Sequence, residues 1–518
     1  MTCLPMTNPL PLQRYVDAWR MSNHRLQYVV ACVLLAAAPA RAQQLIRKHG
    51  YGCGFGVTGL RNIDGDGVGD YAFADYHSPG VLVRSGKSGA SLFKIDAPPN
   101  VADFGTSLAD GGDIDGDGIE DLVIGADWSS DPSLTKTQCG AVFACSGADG
   151  HVLQSAYGSA TNDLLGCAVA GVGDVDGDGF ADFVAGAVQD NLGTVVGNGY
   201  LRCYSGKTGA VLFQLDGSQF GDDFGKGVAA LSDHDGDGVR DLAVVSWWDT
   251  RVCSGASGAT LATIPCPTYS NWGGVCEVDD LDGDGALELA VGETGAVFAL
   301  DGQVSVFSIP TQVELRVNVG TDYQGLFGFS AATIGDADGD GVRDYLIGEE
   351  ELIWSKGSAS LFSGRTGERL YRFVDAYANG FMGIAVADAG DLDGDGRSEM
   401  LVGSPYSNDG VDNGAVFLFG GNDLWLNAEP KSVPAGKLES IETHGAPAGN
   451  PVATFLVDVS GTPLFQLLAI GTSDAVESFV LQGTGPPGLA GITITLRSYA
   501  VNAGGRLMTS ADETVQFL

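Results

Sequence analysis

Seven copies of a nine-residue acidic motif run through much of the chain. The copy at 174–182 reads DVDGDGFAD, with side-chain oxygens at positions 1, 3, 5 and 9 and glycine at positions 4 and 6. Successive copies start 47 to 61 residues apart, and this period predicts one supersecondary unit per repeat. The copies begin at Asn62, Asp113, Asp174, Asp233, Asp280, Asp336 and Asp391.

Alternate carboxylates on one tightly turned loop repel each other unless a hard divalent cation lies between them. Calcium takes roughly six to eight oxygen ligands, and its known loops use positions 1, 3 and 5 with a backbone carbonyl at position 7. Position 7 here ranges from alanine to phenylalanine and arginine, as expected of a residue that contributes only its carbonyl. A single Asp-Gly run is commonly a solvated turn, but seven copies with fixed spacing favour calcium loops. The predicted ligands are Asn62, Asp64, Asp66, Val68 and Asp70; Asp113, Asp115, Asp117, Ile119 and Asp121; Asp174, Asp176, Asp178, Phe180 and Asp182; Asp233, Asp235, Asp237, Val239 and Asp241; Asp280, Asp282, Asp284, Ala286 and Glu288; Asp336, Asp338, Asp340, Val342 and Asp344; and Asp391, Asp393, Asp395, Arg397 and Glu399.

The motif differs from an EF-hand, which has a glutamate at position 12 and flanking helices. The residues after the motif form short apolar runs closed by glycine, such as 122–125, and these predict buried strands. Position 12 is apolar in every copy: Phe73, Ile124, Ala185, Val244, Val291, Ile347 and Val402.

The composition bounds the fold and the partners. With 518 residues the chain has room for a large domain and a smaller one. The 78 glycines and many short apolar runs predict an all-β protein with tight turns. The formal charge of −38 argues against nucleic acid or anionic membranes as partners. Positions 1, 3, 5 and 9 of the motif supply 27 of the 65 acidic residues, and seven calcium ions would change the net charge from −38 to −24.

The amino terminus has the pattern of a secretory signal. His24 and Arg25 precede an apolar run over 28–38 and a small-residue cleavage pattern ending at Ala42. We interpret residues 1–42 as a signal peptide, and residues 1–20 as an over-extended start because Met21 lies where such a signal begins. The apolar run is too short to span a bilayer. We expect a mature chain without a transmembrane segment that is secreted, periplasmic or at the cell surface.

Export permits disulfides, and eight cysteines remain after cleavage. Several lie in strand-like runs, where a small buried thiol is the simpler interpretation. Cys266 and Cys276 flank a loop and are the one disulfide candidate. The chain has no Cys-x-x-Cys pair to suggest zinc or redox chemistry.

Each repeat contains four strand signals. It opens with an aromatic-Gly pair such as Phe104-Gly105, followed by the acidic loop and the apolar strand. A third strand ends in a turn with two glycines three residues apart, as at 205–209, and a fourth strand follows, as at 211–215. Such a turn between apolar runs predicts a hairpin. Seven units of four antiparallel strands predict a seven-bladed β-propeller.

The Phe-Gly opening, the acidic loop and the Gly125-Ala126 type of strand end resemble FG-GAP repeats. These are the units of the integrin α-subunit N-terminal propeller and of many exported bacterial proteins. The resemblance covers residues 44–424 and implies a propeller domain over 43–424. It also implies that calcium lies in the hairpin loop between the first two strands of each blade.

Departures from the repeated pattern predict a graded series of sites. Asn62 removes one charge at position 1 and should weaken the first site. Glu288 and Glu399 at position 9 reach one methylene further and should alter the geometry of the fifth and seventh sites. The second, third, fourth and sixth sites carry four aspartates and are predicted to be the strongest.

The two ends of the predicted propeller should meet. The last repeat has a third strand over 415–419 and then departs from the pattern, while the segment 44–48 resembles a fourth strand. We therefore expect 44–48 to complete blade seven. Over 427–518 the repeat stops, and alternating apolar runs between Gly and Pro turns predict a small C-terminal β-sandwich.

Catalytic constellations are not evident in the sequence. It has no His-Glu-x-x-His pair and no Gly-x-Ser-x-Gly elbow. The GKS and GKT sequences at 86–88 and 206–208 mimic the end of a phosphate-binding loop, but Val81 and Leu201 replace its first glycine. His234, at position 2 of its loop, is expected to pack and not to catalyse.

These patterns favour a non-enzymatic calcium-binding module for adhesion, recognition or scaffolding. Its ligand would be an extracellular protein or a polysaccharide. The alternative is a carbohydrate-active propeller, either a polysaccharide-binding module or a lyase. Exposed aromatics such as Trp247, Trp248 or Tyr406 would then have to line one face.

Overall fold

The computed structural model describes residues 47–50, 53–191, 194–265, 273–294, 302–320, 325–337, 340–351, 357–374, 380–392, 396–408 and 413–420, together with the backbone of strands between 425 and 517. Within these ranges the secondary structure is β-strand, and no helix is long and apolar enough to cross a membrane. The predicted signal peptide lies outside the described residues.

Seven four-stranded antiparallel sheets follow one another along the chain, which confirms the predicted seven-bladed propeller. Blade one contains β2 (Cys53–Leu60), β3 (Asp70–Asp75), β4 (Gly80–Ser85) and β5 (Ser91–Asp96). Blade two contains β6 (Leu108–Gly112), β7 (Asp121–Ala126), β8 (Ala141–Cys145) and β9 (Val152–Tyr157). Blade three contains β10 (Leu165–Gly173), β11 (Asp182–Ala187), β14 (Tyr200–Tyr204) and β15 (Val211–Asp216), with a small hairpin of β12 (Asp190–Asn191) and β13 (Thr194–Val195).

The remaining blades repeat this order of strands. Blade four contains β16 (Gly227–Ala230), β17 (Leu242–Val245), β18 (Asp249–Cys253) and β19 (Thr260–Pro265). Blade five contains β20 (Val275–Val278), β21 (Glu288–Glu293), β22 (Gln303–Ser308) and β23 (Glu314–Val319). Blade six contains β24 (Gly325–Ile334), β25 (Asp344–Glu351), β26 (Ser358–Phe362) and β27 (Arg369–Val374). Blade seven contains β28 (Val386–Gly390), β29 (Glu399–Asn408), β30 (Asn413–Phe419) and, from the start of the chain, β1 (Arg47–Gly50).

Strand β1 closes the ring, as the sequence predicts. It pairs antiparallel with β30, with Arg47 opposite Leu418, while residues 44–46 lie outside the described part. Its side chains also contact blade one. Arg47 donates to the carbonyl of Gly86 at 2.7 Å, and Nε2 of His49 lies 2.7 Å from the hydroxyl of Tyr71. One short strand therefore joins blade seven to blade one.

The hydrophobic core lies between the blades. The described residues form seven buried clusters, and each cluster combines side chains of two neighbouring blades. Alternation along a strand explains this arrangement, because successive side chains point to opposite faces of a sheet. In β7, Leu122 and Ile124 pack against blade one, whereas Val123 packs against blade three.

Glycines of neighbouring blades meet near the end of each second strand, as at the ends of β7 and β11. A Cβ on Gly186 would overlap the carbonyl oxygen of Gly225 in the next blade, and Gly125 stands in the same relation to Gly166. The aromatic residue of the opening pair, such as Phe224, is fully buried. The Phe-Gly opening of one repeat and the Gly-Ala end of the preceding one therefore form a single inter-blade contact.

Beyond the propeller, the described backbone forms two further sheets. That they pack as a β-sandwich remains a prediction. One sheet contains β31 (Trp425–Glu429), β33 (Ser440–His444) and β36 (Ser478–Gln482). The other contains β32 (Ser432–Val433), β34 (Pro451–Val459), β35 (Thr462–Thr472), β37 (Thr493–Val501), β38 (Leu507–Thr509) and β39 (Glu513–Phe517).

The proposed disulfide is not formed. Cys276 lies on β20 as a free, buried thiol packed into the cluster between blades five and six, and Cys266 lies outside the described residues. Burial raises the pKa of the Cys276 thiol to about 12. It therefore behaves as a small apolar core residue.

Replacing Gly186 with alanine should destabilise the propeller by about 1–3 kcal/mol, because the new methyl group would overlap the Gly225 carbonyl oxygen. The backbone at Gly186 is not left-handed, so the cost would be steric. Thermal unfolding of the full chain measures the effect. Val211→Ala, at an exposed position of the same blade, is the control and should change the Tm little. An unchanged Tm for Gly186→Ala would contradict so close an approach of the blades.

Candidate metal centre

The acidic loops join the first strand of each blade to the second. Position 9 is the first residue of the second strand in six blades, as in Asp121 of β7, and directly precedes it in blade four. Because strands alternate in direction, all seven loops lie at the same end of the blades. We call this the loop end and the opposite end the far end.

Backbone N–H groups of the loop itself hold the loop carboxylates in place. In blade three, Asp174 accepts hydrogen bonds from Gly177 at 2.8 Å and from Gly179 at 2.9 Å. Asp176 accepts from the N–H of Asp178 at 3.1 Å. The two glycines have φ of 77° and 89°, which only glycine adopts at little cost. The loop is thus a series of turns that brings its carboxylates to one side.

Among the described residues, these carboxylates converge in four blades. In each group, one ligand atom from every residue lies within 4.8 Å of the others. The four groups are Asp113, Asp115 and Asp121; Asp174, Asp176 and Asp182; Asp233, Asp235 and Asp241; and Asp280, Asp282, Asp284 and Glu288.

The spacing of these oxygens fits calcium. Oxygens bound at roughly 2.3–2.6 Å from one calcium ion lie at most about 5 Å apart, and 4.8 Å is within that limit. Each carboxylate oxygen has two lone pairs, so it can accept an N–H and still bind a cation. Hard oxygen donors of this kind favour calcium or magnesium over softer metals.

Position 9 differs from the other ligands because it is fully buried. Asp121 accepts from the N–H of Ile114 at 2.7 Å through one oxygen and from the N–H of Gly147 at 2.8 Å through the other. Gly147 lies in the turn between the third and fourth strands of the blade. This carboxylate therefore ties two loops together. Asp70, Asp182, Asp241 and Asp344 make the equivalent pairs of bonds in their blades.

Burial disfavours the charged form of the carboxylate at position 9. It raises the pKa of Asp121 to about 6, although backbone N–H groups act in the opposite direction. At position 1 the balance reverses, since the N–H of Gly238 lowers the pKa of Asp233. A cation at the loop would stabilise the charged form of the buried carboxylate.

Blade five departs from this arrangement at position 9, where it carries Glu288. In five other blades a glycine follows the serine of the hairpin turn, and a Cβ there would overlap the carbonyl of the residue before position 9, as for Gly147 over Glu120. Blade five has Ile309 in its place. One oxygen of Glu288 accepts from Leu281 at 2.7 Å, while the other is buried without a hydrogen-bond partner. Burial raises the pKa of Glu288 to about 7.

The first site is described in full, but its carboxylates Asp64, Asp66 and Asp70 do not form such a group, and the sixth and seventh sites are described in part. Asp338, Asp393 and Asp395 lie outside the described residues. Asn62 is exposed and carries one side-chain oxygen where the other copies carry two. Ligation by the position 7 carbonyls and the ranking of the seven sites remain predictions.

The sequence did not reveal a polar network that joins blades four, five and six. His234 lies 3.1 Å from Glu277, which also accepts from the N–H of Ser232 at 2.8 Å. Arg343 lies 3.6 Å from the other oxygen of Glu277. Burial opposes the charge on Glu277, but its hydrogen bonds with His234 and Ser232 lower its pKa. The hydrogen bond between Glu277 and His234 also raises the pKa of His234. His234 is thus buried within hydrogen-bonding distance of the Glu277 carboxylate.

Comparison with known proteins identifies the repeat. The FG-GAP repeat family model matches residues 104–143 and 385–419. Integrin alpha-V of Gallus gallus is 30% identical over 251 residues, which span 46% of this chain and 24% of that protein. Integrin alpha-PS2 of Drosophila melanogaster is 30% identical over 174 residues, spanning 30% of this chain and 12% of that protein. This chain therefore spans a quarter or less of the length of these relatives.

Among solved structures, Saccharomyces cerevisiae Sqt1 aligns with a TM-score of 0.42 at 13% identity, covering 68% of this chain and 82% of that one. A likeness at this level carries no argument about function.

Positions 9 and 5 of one loop should respond differently to substitution. Asp121→Ala removes the acceptor for Ile114 and Gly147 and should cost about 1–3 kcal/mol even in excess chelator. Asp117→Ala, in the same loop, should change stability little in chelator and reduce only the stabilisation that calcium provides. Thermal unfolding of both variants with and without calcium tests this. Equal losses in chelator would contradict separate roles.

Proposed function

We propose that this FG-GAP repeat protein, whose propeller resembles that of integrin α-subunits, is an exported, calcium-stabilised module for adhesion or recognition. The observation that carries the proposal is the convergence of three or four carboxylates in the loops of blades two to five. Repulsion between them would be relieved by a divalent cation. The proposed role of calcium is structural.

Calcium would act by binding the folded loop more tightly than the unfolded chain. The residues that would hold it are the carboxylates of positions 1, 3, 5 and 9 and the carbonyl of position 7. At a calcium concentration ten times the Kd, each site would add about 1.4 kcal/mol of stability. Extracellular modules of this kind bind calcium at roughly 10⁻⁴–10⁻³ M, which suits a protein outside the cell.

The far end of the blades is the better candidate for the recognition surface. Exposed aromatic residues lie there: Tyr76 follows β3 in blade one, Trp248 follows β17 in blade four, and Tyr406 lies within β29 in blade seven. Tyr76 and Tyr406 are 59% and 54% exposed. Exposed aromatic side chains are enriched at binding interfaces.

Two of these aromatics belong to one cluster that spans the ring closure. Phe55 lies between Tyr76 and Tyr406, with ring centroids 5.7 Å and 5.6 Å apart. Phe381 of the connection into blade seven extends it, at 5.3 Å from Tyr406. We propose that this cluster, formed by Phe55, Tyr76, Phe381 and Tyr406, contacts the ligand.

The same aromatics also keep the carbohydrate alternative open. Exposed aromatic side chains can pack against sugar rings as well as against a protein ligand. A polysaccharide-binding module would therefore use the same end. A lyase or hydrolase would need an acid and a base poised beside the substrate. The aspartates of the repeated motif belong to the loops at the opposite end, while Asp103 lies beside Tyr76 as a hydrogen-bond acceptor. We therefore propose binding and not catalysis.

Removal of calcium should destabilise the full chain. Excess EGTA should lower the Tm by at least about 5 °C and speed cleavage by protease at the loop end. Restoring calcium should reverse both effects, whereas the same concentration of magnesium serves as a specificity control. An unchanged Tm in excess chelator would contradict the proposal that calcium stabilises the loops.

The aromatic cluster should be needed for ligand capture. Immobilised full chain is tested against extracellular proteins and against acidic and neutral polysaccharides, with a lyase assay in parallel. Tyr76→Ala combined with Tyr406→Ala should reduce capture at least about tenfold if both rings are energetic anchors, without changing the Tm in calcium. Leu134→Ala, at an exposed site in blade two, is the control. Capture unaffected by the double substitution would place the recognition surface elsewhere.

A further inference from the structure

The residue after the Ser-Gly turn divides the blades into two classes. It is cationic in blades one, three and six, where Lys87, Lys207 and Arg365 occupy the position. It is uncharged in blades two, four and five, where the equivalent residues are Ala148, Ala256 and Pro310. The equivalent residue of blade seven lies outside the described part.

Each of the three cations contacts the carboxylate at position 5 of its own acidic loop. Nζ of Lys87 lies 3.9 Å from Oδ2 of Asp66, and it donates to the carbonyl of the same residue at 3.2 Å. Nζ of Lys207 lies 3.8 Å from Oδ2 of Asp178. The contact is closest in blade six.

In blade six, Nε of Arg365 lies 2.9 Å from Oδ2 of Asp340, and a second guanidinium nitrogen donates to the Asp340 carbonyl at 2.8 Å. The other oxygen of Asp340 accepts the N–H of Val342 at 2.9 Å. Thus Oδ1 shapes the loop, while Oδ2, the oxygen left for a metal ion, faces the side-chain cation. Asp66 and Asp178 divide their oxygens in the same way.

The buried carboxylate at position 9 explains why the cation is in reach. It holds the turn glycine against the start of the second strand, as Asp182 holds Gly206 at 2.9 Å. The next residue, Lys207, therefore emerges beside the acidic loop. Its ammonium group also lies over the ring of Phe180, at 4.3 Å from the centroid, which favours this position.

We propose that Lys87, Lys207 and Arg365 are built-in counter-ions that compete with the metal ion for the position 5 carboxylate. Without metal, the cation relieves part of the repulsion and keeps the loop ordered. With metal, the ion pair has to loosen before position 5 can bind fully. Blades one, three and six thus depend less on metal than blades two, four and five, and each binds it more weakly than the same loop would without its cation.

The expected size of the effect is modest because these pairs are partly exposed. The side chains of Lys207 and Asp178 are 47% and 23% exposed, and pairs of this kind alter an equilibrium by about two- to fivefold. The proposal rests on the calcium role of the loops. It also assigns a role to the GKS and GKT sequences at 86–88 and 206–208, in which the lysine reaches an acidic loop and not a phosphate.

Hydrogen–deuterium exchange of the full chain, followed by mass spectrometry across a calcium titration, reports on each loop separately. Lys207→Gln should lower the calcium midpoint of the 174–182 loop about two- to fivefold and speed its exchange in EGTA. Ala148→Lys should do the reverse to the 113–121 loop. Lys94→Gln is the control, since Lys94 pairs with Asp96 on the outer strand of blade one, and it should leave every midpoint unchanged.

The outcomes separate the two proposals. If no loop of the wild-type chain responds to calcium, the calcium role itself is wrong. If the loops respond but Lys207→Gln and Ala148→Lys leave their midpoints unchanged, the counter-ion proposal is overturned while the calcium role stands. Repeating the titration in 0.5 M KCl should reduce the difference between Lys207→Gln and wild type, because salt screens an exposed ion pair.

Discussion

The loop end of each blade depends on one buried carboxylate. At position 9 it accepts N–H groups from the acidic loop and, in five blades, from the turn between the third and fourth strands, and it does so in nearly complete isolation from water. A charge in that position is costly unless it is hydrogen-bonded and balanced. The backbone N–H groups provide the hydrogen bonds, and a cation held by positions 1, 3 and 5 would balance the charge. The Ser-Gly turn, the acidic loop and the start of the second strand are therefore parts of one unit.

At the far end, neighbouring blades hold each other through one repeated contact. There the glycine of one blade meets the carbonyl of the opening Phe-Gly pair of the next, and the aromatic ring of that pair fills the core between them. A blade is therefore completed by its neighbour, and the last blade needs β1 to close the ring. The acidic loops lie at one end of the blades, and the exposed aromatics that we propose for recognition lie at the other.

Much of this could be predicted from sequence because it is periodic. The spacing of Asp, Gly and apolar residues within one repeat specifies the loop, its following strand and the number of blades, and the incomplete last repeat indicates that an early strand closes the ring. What the sequence did not disclose are contacts between segments far apart in the chain. Asp121 and Gly147 belong to different loops, and the pairing of Glu277 with His234 and Arg343 joins three repeats. Lys207 was visible only as part of a turn, since nothing local indicates that it reaches Asp178. The burial of Cys276 as a free thiol between two blades also depends on tertiary packing, so the sequence alone did not indicate it.

Counting bound ions tests the central claim most directly. Equilibrium dialysis of the full chain against millimolar calcium counts the bound ions while the concentration of free calcium is held constant, as sites with a Kd of roughly 10⁻⁴–10⁻³ M require. We expect at least four and at most seven bound calcium ions per chain, because acidic groups converge in four of the described loops and the motif occurs seven times. A folded chain that carries no calcium under these conditions would contradict the account.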